Sequence, residues 1–210
     1  MNCRPAVLAT LPLALAAALL FAAGAAAEDN PGTVYNVELI IFRANAAEGG
    51  AENWSEEAGA RSVAGDESAS GSQQIGHFVT QLPPAAFQLN ELESRLRASG
   101  SYLPVAHVAW SQTASSWGTR AGFAIGRLGI DVPGLSGNVY LEHGQFLHLG
   151  MSLTWAMESP PDGLGAGPGT AFTLNETRRV RFYDRNYYDH PAFGVIALVT
   201  PAQGPRAPGR

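Results

Sequence analysis

The sequence predicts an α+β fold: a mostly antiparallel sheet of six or seven strands with one main helix packed on it. Three observations lead to this prediction. Val34–Arg43 is a strongly apolar, strand-length segment, and Asn90–Gly100 has the start signal, leucine spacing and closing glycine of a helix. The remainder, from Leu103 to Thr200, consists of short apolar segments separated by turns rich in glycine and proline.

The beginning of the chain has the layout of a secretory signal peptide, which we assign to residues 1–27. Arg4 precedes an uncharged apolar run, Ala6–Gly24, and small residues, Ala25-Ala26-Ala27, follow it. A retained membrane anchor is the alternative, because the run is nearly long enough to span a bilayer. We expect cleavage after Ala27, removal of Cys3 with the signal, and an exported mature protein without a membrane span.

Composition and charge limit what the mature chain does. The full 210-residue sequence has 46% hydrophobic and 15% charged residues, which is typical of a globular protein, and we expect a single domain over residues 28–201. The formal net charge is -5, and all 13 basic residues are arginine. Nucleic-acid binding requires a dominant basic face, so nucleic acid is not an expected partner.

The first strand, a long loop and the helix follow in chain order. Val34–Arg43 is apolar on both sides of the strand, which predicts a strand covered on both faces. Residues 44–74 are rich in Ala, Gly, Glu and Ser without a sustained period, so we expect a disordered acidic loop. Asn90 is the expected helix cap and Gly100 the closing residue. The order strand, helix, strand would place this helix on one face of the sheet.

The clearest hairpin joins residues 135–141 to 145–155, because every second residue from Leu147 to Trp155 is apolar. A three-residue loop at 142–144 would place Val139 and Leu141 on the core face and Gly144 in the left-handed conformation. Residues 158–169 are predicted to be a loop, and 202–210 a disordered tail. The other expected strands are 103–112, 123–132, 172–183 and 193–200.

Motifs of common enzymes are missing from the sequence. It contains no G-x-S-x-G elbow, no HExxH motif and no cysteine other than Cys3. His143 and His148 lie on the two arms of the hairpin and are expected on opposite faces, which argues against a metal pair. The sequence therefore offers no recognisable metal site or hydrolase triad, and we predict no metal and no cofactor.

Two other histidines have structural and chemical interpretations. His107 lies within an apolar strand and is expected to be a satisfied core histidine. His190 precedes Pro191 and follows Asp189, so it either hydrogen-bonds its own turn or acts as a general base. The pattern favours the structural role.

Candidate ligand-binding side chains concentrate in the segment 176–194. Arg179 and Arg181 alternate along the predicted strand and should project from one face, with Arg178 on the other. Guanidinium groups bind carboxylates through two parallel hydrogen bonds, and the rings of Tyr187 and Tyr188 offer flat faces for a sugar. Solvated arginines, or arginines paired with neighbouring acids, are the alternatives.

The order of motifs resembles the CsiV family of Gram-negative periplasmic proteins. The likeness extends from about Tyr35 to Pro201 through the segments YNVELIIFR, YLPVAHVAWSQ, GNVYLEHGQFLHLGMSLTW and NETRRVRFYDRNYYDHPAFGVIALVTP. Its most specific parts are the His107, Trp110 and Gln112 element and the element Tyr188-Asp189-His190-Pro191. The candidate ligand-binding residues are accordingly Arg178, Arg179, Arg181, Tyr187, Tyr188, His190 and Trp110.

The resemblance implies a non-enzymatic, peptidoglycan-binding adaptor that supports cell-wall synthesis. It also implies a partner, an outer-membrane lipoprotein that activates a class A penicillin-binding protein. Two alternatives stay open. One is an envelope hydrolase or lytic enzyme that uses acids such as Glu176 and Asp189 on peptidoglycan. The other is a periplasmic module that binds only proteins.

Overall fold

The computed structural model describes residues 32–46 and 79–202 of the 210-residue chain. The predicted signal peptide lies outside the described residues, as do residues 47–74 of the predicted acidic loop and residues 203–210 of the predicted tail. Residues 44–46 are described, and Ala44 is the last residue of the first strand.

Ten strands and a single α-helix make up the regular structure of the described residues. The α+β class, the antiparallel pairing and the single helix are confirmed, but the count of six or seven strands in one sheet is wrong. The strands divide into two sheets that share one apolar core. The elements are β1 (Val34–Ala44), β2 (Val79–Gln81), α1 (Asn90–Ser99), β3 (Tyr102–Thr113), β4 (Ser115–Ser116), β5 (Phe123–Ala124), β6 (Leu135–His143), β7 (Leu147–Met157), β8 (Thr170–Arg179), β9 (Arg185–Asp189) and β10 (Phe193–Pro201).

The first sheet has the strand order β2-β3-β1-β10-β9, and the second has β4-β6-β7-β8 with β5 beside β6. Neighbouring strands are antiparallel except β4 and β6. The prediction that β1 is covered on both faces is confirmed. Leu39 and Ile41 belong to the core between the sheets, while Ile40 and Phe42 pack on the other side with Leu89 at the start of α1.

The hairpin β6–β7 has the predicted loop length but a different register. His143 pairs with Leu147, so residues 144–146 form the three-residue loop instead of 142–144. Val139 and Leu141 face the core as expected, opposite Met151 and Leu149. Gly144 is not among the residues with positive φ, so the expected left-handed glycine is wrong. β6 therefore ends two residues later than predicted and β7 begins two residues later, while Leu147 still faces the core.

Two predicted strands are shorter than expected. The segment 123–132 is a strand only at Phe123–Ala124 and then forms a 3-10 turn over Ile125–Leu128. This turn directs both Ile125 and Leu128 into the core at a spacing of three, which an extended strand cannot do. The segment 172–183 stops being a strand after Arg179, because the chain must leave the second sheet to enter the first as β9.

Candidate functional site

The predicted arginine and tyrosine cluster is divided among different surfaces. Arg178 lies opposite Leu149 and shares its inward-facing side of the second sheet, whereas Arg179 lies opposite His148 on the outer side. Arg181 is exposed in the turn after β8, where Tyr183 adopts a left-handed backbone. The expected shared face for Arg179 and Arg181 is therefore wrong, since the regular alternation ends with the strand at Arg179.

Trp110 and Tyr188 have no exposed surface. The indole Nε1 of Trp110 donates a hydrogen bond to Gln112 Oε1 at 2.6 Å, and its ring meets Phe123 edge-on. The Tyr188 hydroxyl donates to the Leu149 carbonyl at 2.9 Å and so connects the two sheets. Because neither ring reaches the surface, both are corrected from candidate ligand contacts to core residues.

Arg178 is paired with an acid of its own strand. Its Nε donates a hydrogen bond to Glu176 Oε1, and its guanidinium carbon lies 5.5 Å from the centroid of the Tyr188 ring. Burial, followed by the negative charge of Glu176, raises the pKa of Tyr188 above its usual value. Of the alternatives for the arginines, internal pairing therefore applies to Arg178.

His190 and Tyr187 contribute to the β9–β10 hairpin. The Ala192 amide donates to His190 Nδ1 at 3.1 Å, which confirms the expectation that this histidine hydrogen-bonds its own turn. Tyr187 is exposed on the outer side of the first sheet, stacks on Phe42, and donates its hydroxyl to Asp189 Oδ1 at 3.0 Å. It projects from the strand face opposite to that of its neighbour Tyr188, so the two tyrosines do not form a joint platform.

A group of aromatic and basic side chains lies at one end of the second sheet, on its outer side. We call it the outer patch and define it as Trp117, Phe146, His148 and Arg179. The Arg179 guanidinium carbon lies 3.3 Å from the centroid of the Phe146 ring. The rings of Trp117 and His148 have centroids 4.0 Å apart, and Trp117 is 55% exposed.

The strand register brings the outer patch together. Glu142, His148 and Arg179 occupy directly opposed positions on β6, β7 and β8. The Trp117 amide donates to the His143 carbonyl at 3.1 Å, which holds the indole beside His148. His148 Nδ1 lies 3.0 Å from the Phe146 carbonyl, and a carbonyl only accepts, so Nδ1 is the donor.

The outer patch combines a guanidinium with exposed aromatic surface. Arg179 is oriented by the ring beneath it and contacts no acid in the part of the chain that the structure describes. Such an arrangement suits a ligand with a carboxylate next to a ring or an apolar face. Of its members only Arg179 was predicted. The other three come from two segments, one with Trp117 and one with Phe146 and His148, and Trp117 next to Gly118 is the local signal of an exposed ring.

The sequence also did not predict a buried network around His107. Its ring Nε2 lies 2.7 Å from Glu38 Oε1, and its Nδ1 lies 2.7 Å from Glu93 Oε2. The Glu38 carboxylate further accepts hydrogen bonds from the amides of Gln88 and Leu89, at the N-terminus of α1. Leu89, not Asn90, holds the N-cap position and has no side-chain cap, so the capping role assigned to Asn90 is corrected. The Glu38 carboxylate instead binds the amides immediately before the helix.

The network stabilises the charged forms of His107 and Glu93. Burial lowers the pKa of His107, but hydrogen bonds and charges from Glu38 and Glu93 outweigh it, so the pKa is raised. Burial raises the pKa of Glu93, but Arg97 and His107 outweigh it, so the pKa is lowered. Both ring nitrogens of His107 are engaged by carboxylates. The prediction of a satisfied core histidine is confirmed.

Residues 32–46 and 79–202 contain neither a membrane-spanning helix nor a cluster suited to a metal ion. No helix in these ranges combines the length and apolar character needed to cross a bilayer. In the same ranges, no group of three or more His, Cys, Asp or Glu side chains is arranged to hold a metal ion.

The fold and the outer patch define a two-sheet α+β protein with a surface suited to ligand binding. The chain belongs to the CsiV family, because the family model, described as a peptidoglycan-binding protein, matches residues 8–202. No curated protein and no solved structure matches the chain. The resemblance drawn from the sequence motifs is thereby confirmed.

Proposed function

We propose that this protein binds peptidoglycan without catalysing its turnover, and that it works in the periplasm as an adaptor for cell-wall synthesis. The observation that carries the proposal is the outer patch. Peptidoglycan combines sugar rings with stem-peptide carboxylates, and the patch presents Trp117 for a ring and Arg179 for a carboxylate. The family description agrees with this ligand.

The proposed partner is an outer-membrane lipoprotein that activates a class A penicillin-binding protein. The outer patch lies on the second sheet, and α1 lies on the far side of the first. The two surfaces are separate, and we assign the outer patch to the wall and the side that carries α1 to the protein partner. This separation is what an adaptor requires.

The two acids considered for a lytic mechanism do not form a pair. Glu176 shares the inward-facing side of the second sheet with Arg178, to which it is bonded. Asp189 is exposed on the outer side of the first sheet, where it accepts the Tyr187 hydroxyl. A glycosidase requires two carboxylates that flank one bond, so no observation favours an enzyme that acts through these acids.

Co-sedimentation with purified sacculi tests the proposal. The wild-type protein should sediment with sacculi, and Arg179→Gln should sediment about tenfold less, as expected for loss of a charged hydrogen bond. Arg95→Gln is the matched control, because Arg95 is an exposed arginine on α1 whose partner is Glu91. Wild-type protein that stays in the supernatant would contradict peptidoglycan binding itself.

The same assay with the purified lipoprotein activator tests the adaptor role. We expect the activator to increase the amount of protein on sacculi and the Arg179→Gln variant to retain binding to the activator in solution. Release of soluble muropeptides by the purified protein would contradict the non-enzymatic proposal.

A further inference from the structure

The outer side of the second sheet continues beyond the outer patch as an uncharged polar surface. On this side the neighbouring strands present short side chains with hydroxyl or amide groups. We call this surface the neutral face. Its members are Ser136, Asn138, Ser152, Thr154, Thr173 and Asn175.

The register arranges the neutral face in rows across the strands. Asn138, Ser152 and Asn175 are directly opposed, and all three are exposed. Ser136, Thr154 and Thr173 form the next row, in which the two threonine hydroxyls lie 3.4 Å apart. Each row therefore offers both donors and acceptors to anything lying on it.

The absence of charge from the neutral face is informative. The solvent side of an antiparallel sheet is ordinarily polar, and charged side chains are common among its exposed residues. Charged groups would also resist the loss of water that accompanies contact with an uncharged polymer. Amides and hydroxyls bind such a polymer at a lower desolvation cost.

The dimensions suit a single extended chain. From His148 to Thr154 is six residues along β7, which corresponds to about 20 Å, and the width of β6, β7 and β8 is about 10 Å. Between the neutral face and the outer patch, the Tyr140 ring lies against Gly150 and its hydroxyl meets Thr177 Oγ1 at 2.5 Å. Tyr140 is only 5% exposed, so this buried row lies between the two surfaces along the strands.

We infer that the neutral face is the binding surface for the glycan strand of peptidoglycan. The sugar chain lies along β7 and hydrogen-bonds to the amides and hydroxyls of the rows. At the end of the sheet, Trp117 stacks on a sugar ring and Arg179 binds a stem-peptide carboxylate. The inference rests on the proposed function and adds the assignment of glycan and peptide to different parts of one sheet.

The test compares two purified ligands: intact sacculi, and glycan strands from which an amidase has removed the stem peptides. Ser152→Glu places a charge in the middle of the neutral face and should weaken binding to both ligands about tenfold. Arg179→Gln should weaken binding to intact sacculi while leaving binding to stripped glycan unchanged. Ser94→Glu on α1 is the control, because it makes the same change at an exposed serine far from the second sheet.

A second variant, Asn138→Ser with Asn175→Ser, shortens two amides without adding charge and should lower binding to stripped glycan. If neither neutral-face variant binds stripped glycan less than wild type, or if wild type binds only intact sacculi, the glycan assignment is wrong and peptidoglycan binding stands. If wild type binds neither ligand, the proposed function fails as well.

Discussion

The outer faces of the two sheets differ in what covers them. The first sheet presents Ile40, Phe42, Ile196 and Leu198 outward, and α1 packs on these side chains. The second sheet presents hydroxyls, amides and the outer patch, and within the described residues no helix lies on it. In a sandwich only the inner faces have to be apolar. The outer faces can therefore differ, with one covered by a helix and the other left free to bind a ligand.

Charged groups are also used differently on the two sides. Glu38 and Glu93 both bind His107 beneath α1 and hold the helix on the sheet. Arg179 instead rests on an aromatic ring with its charge facing outward. We call the outer side of the first sheet the covered face and the outer side of the second sheet the bare face. The charges of the covered face stabilise the fold, whereas the charge of the bare face is available for a ligand.

The largest expected effect comes from a substitution in the hydrogen-bond network of the covered face. Glu38→Leu removes the acceptor of two amides and leaves His107 with one partner, so the free energy of unfolding should fall by about 3–5 kcal/mol. Urea unfolding followed by circular dichroism measures this. The folded fraction should still bind sacculi as wild type does. A loss of unfolding free energy below about 1 kcal/mol would contradict the role of Glu38 in holding α1 on the sheet.

On the bare face, Gly150→Ala tests the flat contact with Tyr140. An added Cβ would lie 2.1 Å from Tyr140 Cε2, so the ring must move and its contact with Thr177 is strained. Thermal unfolding should show a loss of about 1–3 kcal/mol. Gly126→Ala is the control, because nothing lies within 4 Å of its added Cβ. Equal stability of the two variants would show that the ring adapts freely.

The pH dependence of stability sharpens the comparison. Glu38 and Glu93 raise the pKa of His107 in the folded protein, so its contribution is complete below about pH 6.5 and is lost as the pH rises through the raised pKa. The slope should reach at most about 1.4 kcal/mol per pH unit. His107→Gln should remove this slope, whereas His148→Gln in the outer patch should retain it. Urea unfolding at a series of pH values distinguishes them.

Glu93 should affect the pH dependence of stability at acidic pH. Its pKa is lowered, so its contribution is present above about pH 4.5 and is lost as the pH falls through the lowered pKa. The network as a whole should therefore stabilise the fold most between these limits. If stability were greatest above about pH 7.5 and this maximum depended on His107, the expected direction of the pH dependence would be wrong.

The smallest effect is expected at Asn90. A side-chain cap is worth about 1 kcal/mol, but Leu89 holds the cap position and Asn90 is exposed in the first turn. Asn90→Ala should therefore change the free energy of unfolding by less than about 0.5 kcal/mol. A larger loss would restore the capping role that the sequence pattern assigned to this residue.

Local patterns were sufficient for most elements and insufficient for the site. The apolar alternation of β7 and the closing glycine of α1 depend on neighbours a few residues away, and both were predicted. The outer patch joins residues 117, 146, 148 and 179, whose proximity depends on strand register. The predicted register of β6 and β7 was wrong, because the loop lies two residues later in the chain than predicted.

The sequence by itself determined the α+β class, a first strand with two apolar faces, and the CsiV family, because each of these is encoded in residue type and spacing. Only the tertiary structure decided that the strands form two sheets, that Trp110 and Tyr188 are buried, and that Arg178 and Arg179 face opposite sides. The physical reason is that burial and charge pairing are set by contacts between distant segments, and no local period carries that information.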